Sequence, residues 1–208
     1  MRNLQKVSAP KVLKDNQEAW LKAYMEDNRD TNKYRYRHPD IKAALTEETG
    51  FKCIYCESKI GHNTPGDVEH MTPSSKEPAK HFEWNNITIA CTECNRRKNN
   101  YNDPALPFLN PYIDNVESML VHLGPIVSWK AGNSRAEASV RKLELNGYSR
   151  RELVNRKIEK LEALNDVLER KAGANGVMLE LIEQKLEKMQ DREAEYSGMI
   201  ISAIGHKS

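Results

Sequence analysis

The chain has 208 residues, enough for one good core or two small ones. It is polar for a globular protein, 38% hydrophobic and 30% charged, and no apolar run approaches the roughly 20 residues of a helical membrane span. A formal net charge of +2 excludes a nucleic-acid binder that works through its whole-protein field, leaving only local basic patches for such a task. The first residues, Met1-Arg2-Asn3-Leu4-Gln5-Lys6, lack the apolar stretch of a signal peptide, so a cytoplasmic protein is expected.

In chain order, residues 1–50 read as a helical segment, with Leu13, Trp20, Leu21, Tyr24 and Met25 at helical spacing and a polar break from Asp27 to Asn32. Lys33 to His38 interleaves bases with Tyr34 and Tyr36, which suits either stacking on unpaired bases or an ordinary surface. A short helix is predicted from Pro39 to Thr49, opened by proline and closed by Gly50. Residues 51–110 form a second segment, rich in glycine, proline, asparagine and cysteine. It holds short strands at Val68–Met71 and Ile87–Ala90, a helix opening at Cys94, and an extended stretch imposed by Pro104, Pro107 and Pro111. Residues 111–208 form a third, predicted helical from 116 to 200. Val154, Ile158, Leu161, Leu164 and Leu168 make one stripe and Met178, Ile182, Leu186 and Met189 another, with a turn at 172–176, so two antiparallel helices are expected. The second stripe suits either internal packing or a docking partner. The basic run Arg135, Arg141, Lys142, Arg150, Arg151, Arg156 and Lys157 reads first as solvated surface.

The four cysteines fall into two Cys-x-x-Cys pairs, Cys53/Cys56 and Cys91/Cys94. In a cytosolic protein this spacing points to zinc rather than disulfides. Four thiolates close a tetrahedral Zn2+ site, leaving no position for water, so this metal is structural. It would fix a segment too poor in apolar residues to fold alone.

Between and beside the knuckles lie Asp67-Val68-Glu69-His70, Asn86 and Asn95, the last within Cys91-Thr92-Glu93-Cys94-Asn95-Arg96-Arg97-Lys98. This ordered set resembles the four-cysteine form of the HNH nuclease family. The likeness extends through Pro10-Lys11-Val12-Leu13, Trp84-Asn85-Asn86-Ile87 and Leu143-Glu144-Leu145-Asn146 toward the HNH proteins found with certain retrons and the PtuB-type nuclease subunits of Septu anti-phage systems. The implied fold class is α+β and mostly helical: a zinc-stapled ββα-metal core at 51–110 between helical segments at 1–50 and 111–208.

Phosphodiester hydrolysis needs a base for water, and His70 suits it with a pKa near neutrality. The departing oxygen needs a divalent cation, Mg2+ or Mn2+, for which Glu69 and Asn95 offer a carboxylate and an amide oxygen; the resemblance implies the same pair. It also implies that Asn86 holds the loop beside His70, with direct chemistry the less favoured role. Lys98 suits a phosphate or the local backbone, and Arg96 and Arg97 suit phosphates or a solvated helix face. Asp67 reads as a solvated strand residue or as a carboxylate supporting the cation ligands. His62 and His81 read as loop and packing residues. The resemblance implies DNA as substrate and an SMC/ABC-like, PtuA-like ATPase as partner, with oligomers possible through that complex. Because the chain carries no Gly-x-x-x-x-Gly-Lys-Ser/Thr loop, ATP hydrolysis would belong to the partner. Two other readings stand beside this one: a non-catalytic zinc module that binds nucleic acid or a partner, and an HNH nuclease of a restriction or mobile-element system.

Overall fold

The computed structural model describes residues 1–61 and 65–205. The expectation for His62 lies outside the described residues. Helix α1 (Lys11–Glu26) and the single turn α2 (Asp30–Lys33) lead through a tight 3-10 turn at Tyr34–Arg37 into α3 (Pro39–Glu48). Proline opens α3, the His38 ring accepts a bond from Asp40 N–H, and Gly50 follows with a positive φ of 64°. Here a Cβ would also crowd the backbone of Glu193 and Arg192 at 3.1 and 3.2 Å, so the positive φ and the close approach both favour glycine.

Strands β1 (Asp67–His70) and β2 (Ile87–Ala90) pair antiparallel, with Asp67 opposite Ala90 and His70 opposite Ile87. Helix α4 (Thr92–Lys98) packs against β1 and completes a ββα unit. Both strands are short and nearly buried, and their apolar faces are supplied by Val68, Ile87 and Ile89.

Where helix was predicted throughout 116–200, the chain instead makes one turn of helix, α5 (Val116–Met119), and then a hairpin, β3 (Leu120–Leu123) with β4 (Ile126–Trp129). Gly124 takes the positive φ, 60°, that a two-residue turn demands, and Pro125 follows it. Asn146 clamps this hairpin by accepting from Val127 N–H at 2.9 Å and donating to Val127 C=O at 2.6 Å. Helices α6 (Ser134–Lys142), α7 (Arg151–Ala172), α8 (Gly176–Gln190) and α9 (Ser197–Gly205) complete the chain.

The expected antiparallel pair is α7 and α8, which pack on each other and on α9. Ile182 and Leu186 are buried while Met178 is half exposed, so most of the α8 stripe packs internally. On α7 the buried face is Leu153, Lys157, Leu164 and Val167; Ile158 of the predicted stripe faces outward. Buried side chains from all parts of the chain join in one cluster around Tyr55, Ile87, Leu109 and Leu143. Among the described residues, no helix is long and apolar enough to cross a membrane.

Candidate active site and zinc centre

The first knuckle follows a bridge between Lys52 and Lys59, and its Ile54 N–H bonds to Ile89 C=O of β2, so the sheet carries the knuckle. The second knuckle is also the start of α4: Cys91 Sγ accepts from Cys94 N–H at 3.4 Å, the role an N-cap oxygen usually fills. The four sulfurs lie within 4.8 Å of one another, with Cys56 and Cys91 at 3.8 Å. A tetrahedron with Zn–S bonds near 2.3 Å has edges of about 3.8 Å, so the set fits zinc. It is the only group of three or more His, Cys, Asp or Glu side chains that converges this way among the described residues.

A tetrathiolate site carries about −2 once zinc is bound, and burying that charge requires compensation. Two buried cations supply it. Arg150 Nη1 donates to Cys94 Sγ at 3.2 Å and to Leu143 C=O. Lys157, 3% exposed, donates to Pro125 C=O at 3.3 Å; burial pushes its ammonium pKa down, and the field of Cys56 opposes that shift. The basic run read as surface therefore contains two residues turned inward; neither carried a signal in isolation, because their partners lie about sixty to a hundred positions away.

On β1, Asp67 and Glu69 share the face beneath α4, and Asn95 and Lys98 stand one helical turn apart above them. Asn95 Nδ2 donates to Asp67 Oδ2 at 3.3 Å, which turns the amide oxygen the other way. Glu69 is 4% exposed; Lys98 Nζ lies 2.6 Å from its Oε1 and Tyr55 donates to its Oε2 at 2.9 Å. Burial pushes the Glu69 carboxyl up, and the Lys98 ammonium opposes that shift. Lys98 also donates to His70 C=O at 2.7 Å. Its ammonium thus works inside the site on a carboxylate and the strand end, which is the backbone role rather than a surface phosphate contact.

His70 ends β1 on the opposite side from Glu69. Its Nε2 is 2.8 Å from His81 C=O. A carbonyl can only accept, so Nε2 carries the proton and Nδ1 keeps its lone pair. Burial holds the His70 pKa down at about 4, below the near-neutral value expected from the sequence, which keeps the ring neutral at pH 7 but makes it a weaker base. The ring stacks on His81 with centroids 4.8 Å apart and meets the edge of Tyr36 at 4.6 Å.

His81 does more than pack. It is 1% exposed, donates to Lys33 C=O at 2.7 Å, sits 2.7 Å from the Ser74 hydroxyl, and stacks on Tyr24. Asn86 accepts from Thr72 N–H at 2.7 Å and donates to the carbonyls of Thr72 and Lys80. It thereby pins both ends of the loop whose His81 carbonyl orients His70.

The basic residues divide. Arg97 is nearly buried and pairs with Glu93 and Glu144, and Arg96 pairs with Glu93 while staying exposed. Tyr36 is used up against His70 and His81, so it offers no face to a base. Its neighbour Arg37 belongs to the Lys33–His38 segment that interleaves bases with tyrosines. It is exposed, lies 4.2 Å over the Tyr34 ring, and its charge reaches His70.

Against known proteins, residues 53–101 match the family model described as HNH endonuclease. The chain is 34% identical over 77 residues to the Septu protein PtuB of Bacillus thuringiensis, a match covering 36% of this chain and 30% of that protein. It is 28% identical over 149 residues to the Septu protein PtuB of Bacillus mycoides strain KBAB4, covering 57% of this chain and 50% of that one. The chain thus spans half or less of the length of these relatives. The resemblance read from the two knuckles, Glu69-His70, Asn86 and Asn95 is the one these matches find.

Proposed function

We propose that this chain, starting from its HNH likeness, is a divalent-cation-dependent endonuclease that hydrolyses DNA phosphodiester bonds. The observation that carries the reading is the His70 imidazole: neutral, with one nitrogen tied to a fixed carbonyl and the other bearing a lone pair. That is the state a general base requires before it takes a proton from water. His81, Tyr36 and the loop pinned by Asn86 hold the ring in one orientation, so little is lost in ordering it at the moment of reaction.

The donors available for Mg2+ or Mn2+ are the Asn95 amide oxygen and the Glu69 carboxylate. Such an ion takes one or two protein oxygens and retains several waters; the Asn95 amide oxygen is turned away from Asp67, whereas Glu69, buried and held at both oxygens by Lys98 and Tyr55, would give up one of those partners to ligate it. When bound, the ion would stabilise the charge that develops on the departing oxygen. Glu69 already neutralises itself against a cation, the Lys98 ammonium. Asp67 acts on this site through Asn95, whose amide it orients. Arg37 and the exposed Arg96 are the side chains we assign to phosphate contacts at the rim.

The relatives' name adds the biological setting. A nuclease similar to PtuB would serve anti-phage defence beside an ATPase of the PtuA type, in the cytoplasm, with the partner supplying ATP hydrolysis. The test is cleavage of plasmid and single-stranded DNA by the zinc-loaded chain, with and without that partner. Cleavage that needs added Mg2+ or Mn2+ and stops with a chelator too weak to remove zinc supports the reading. Cleavage indifferent to added cation would overturn it.

A further inference from the structure

A concave cleft of about 760 Å³ opens between α7, α8 and the 193–195 turn, and shares no lining residue with the His70 site. Five cations line it: Lys59, Arg156, Lys160, Lys185 and Lys188. Only two carboxylates, Glu193 and Glu195, stand against them. Glu195 is held in place by accepting from Lys59 N–H at 3.1 Å, and its side chain is 12% exposed. It lies 3.8 Å from Arg156 Nη1 and 3.7 Å from Lys160 Nζ. Those separations are ion-pair contacts beyond hydrogen-bond length, so Glu195 offsets part of the charge of both cations without a direct hydrogen bond to either. Lys185 and Lys188 are exposed, and among the described residues neither has a carboxylate within 4.0 Å. Five positive charges against two carboxylates leave the opening net positive.

The rest of the lining is apolar: Ala163, Met189, Ala194 and Ile200, the last almost wholly buried. A ligand matched to both parts has anionic groups at one end and a flat apolar body at the other. The volume lies within the roughly 300–1,000 Å³ of small-ligand sites, whereas a protein partner would meet a broader, flatter surface.

We propose that this cleft is a nucleotide-binding site, in which Arg156, Lys160, Lys185 and Lys188 take phosphate and the apolar lining at Met189 and Ala163 takes the base. The phosphate can come from a free nucleotide or from one unit of a single strand. The inference does not depend on hydrolysis at His70, and its test reads binding alone.

The test uses the zinc-loaded full chain carrying His70→Ala, so that no probe is consumed. Thymidine monophosphate, inorganic phosphate and a labelled short oligothymidylate are titrated against it and against a version with Lys160→Glu and Lys188→Glu added. Both added substitutions lie on exposed helix positions, and circular dichroism and zinc content check the fold. Loss of probe affinity by about tenfold or more in the charge-reversed chain, with a shallower salt dependence, is expected. Binding of the mononucleotide by itself supports a free nucleotide as ligand, and binding of the oligonucleotide alone supports a strand. Unchanged affinity on charge reversal would overturn the proposal. So would inorganic phosphate binding as tightly as the mononucleotide, or polyglutamate competing as well as the oligonucleotide, the latter pointing to an acidic protein.

Discussion

At the scale of single residues, the His70 ring is defined by what surrounds it. A histidine folded neutral at a pKa of about 4 binds its proton more weakly than in the unfolded chain, where the value is near 6.5. The same holds for His122, also held at about 4 by burial, with a buried Nδ1 that has no hydrogen-bond partner among the described residues. The sign follows from proton counting. Above about pH 6.5 both states are neutral and stability is full; between about 6.5 and 4 only the unfolded chain takes up the proton, so stability falls as pH falls. Each ring accounts for up to about 3 kcal/mol of that loss. Urea unfolding across this window should show the decline, and His122→Gln should remove His122's share while leaving that of His70. A flat stability profile from pH 7 to 4.5 would contradict these assignments. Asn86 offers a second test at this scale. Its side chain makes three bonds to the backbone of the loop, and Asn86→Ala should cost about 2–3 kcal/mol, measured by the same unfolding. It should also slow cleavage, because the His81 carbonyl would no longer be held.

At the scale of elements, much of the site was legible because its signals are local. The two knuckles, the strand ending at His70 and the Pro39–Gly50 helix each rest on residues a few positions apart, and strand β2 matches its expected bounds. The hairpin β3–β4 was missed. Its cues are a Gly124-Pro125 turn and four-residue strands, which a helical reading of the long charged segment absorbed; the Asn146 clamp that stabilises it lies some twenty residues on. The partners of Glu69 and of the thiolates were not legible for the same reason. Lys98 and Arg150 meet them only after the chain has folded back. Through the latter contact, retention of a bound zinc ion would depend on the entry to α7. Arg150→Met should speed zinc transfer to a chromogenic chelator by about tenfold, and Arg150→Lys should restore part of the difference. Equal release rates in all three proteins would mean that the thiolates need no such cation.

At the scale of the whole molecule, the helical region and the ββα unit share one core, and Lys52 binds the Ala194 carbonyl across it. Stability and activity should therefore fail together when α8 is disturbed. Ile182→Asp places a charge in the α7–α8 contact and should cost about 3 kcal/mol or more. The half-exposed Met178 lies on the same helix, and Met178→Ser should change stability by about 0.5 kcal/mol or less. A reduced affinity of Met178→Ser for the proposed ATPase partner would assign that exposed edge to docking. The account as a whole turns on one imidazole acting as a base on a zinc-stapled frame. Its most direct test is DNA cleavage in Mg2+ or Mn2+ by the wild-type chain and by His70→Ala, at matched zinc content and with the partner present. The account predicts cleavage by the wild type and a rate lower by about 100- to 10,000-fold in the variant; equal rates from the two proteins would contradict it.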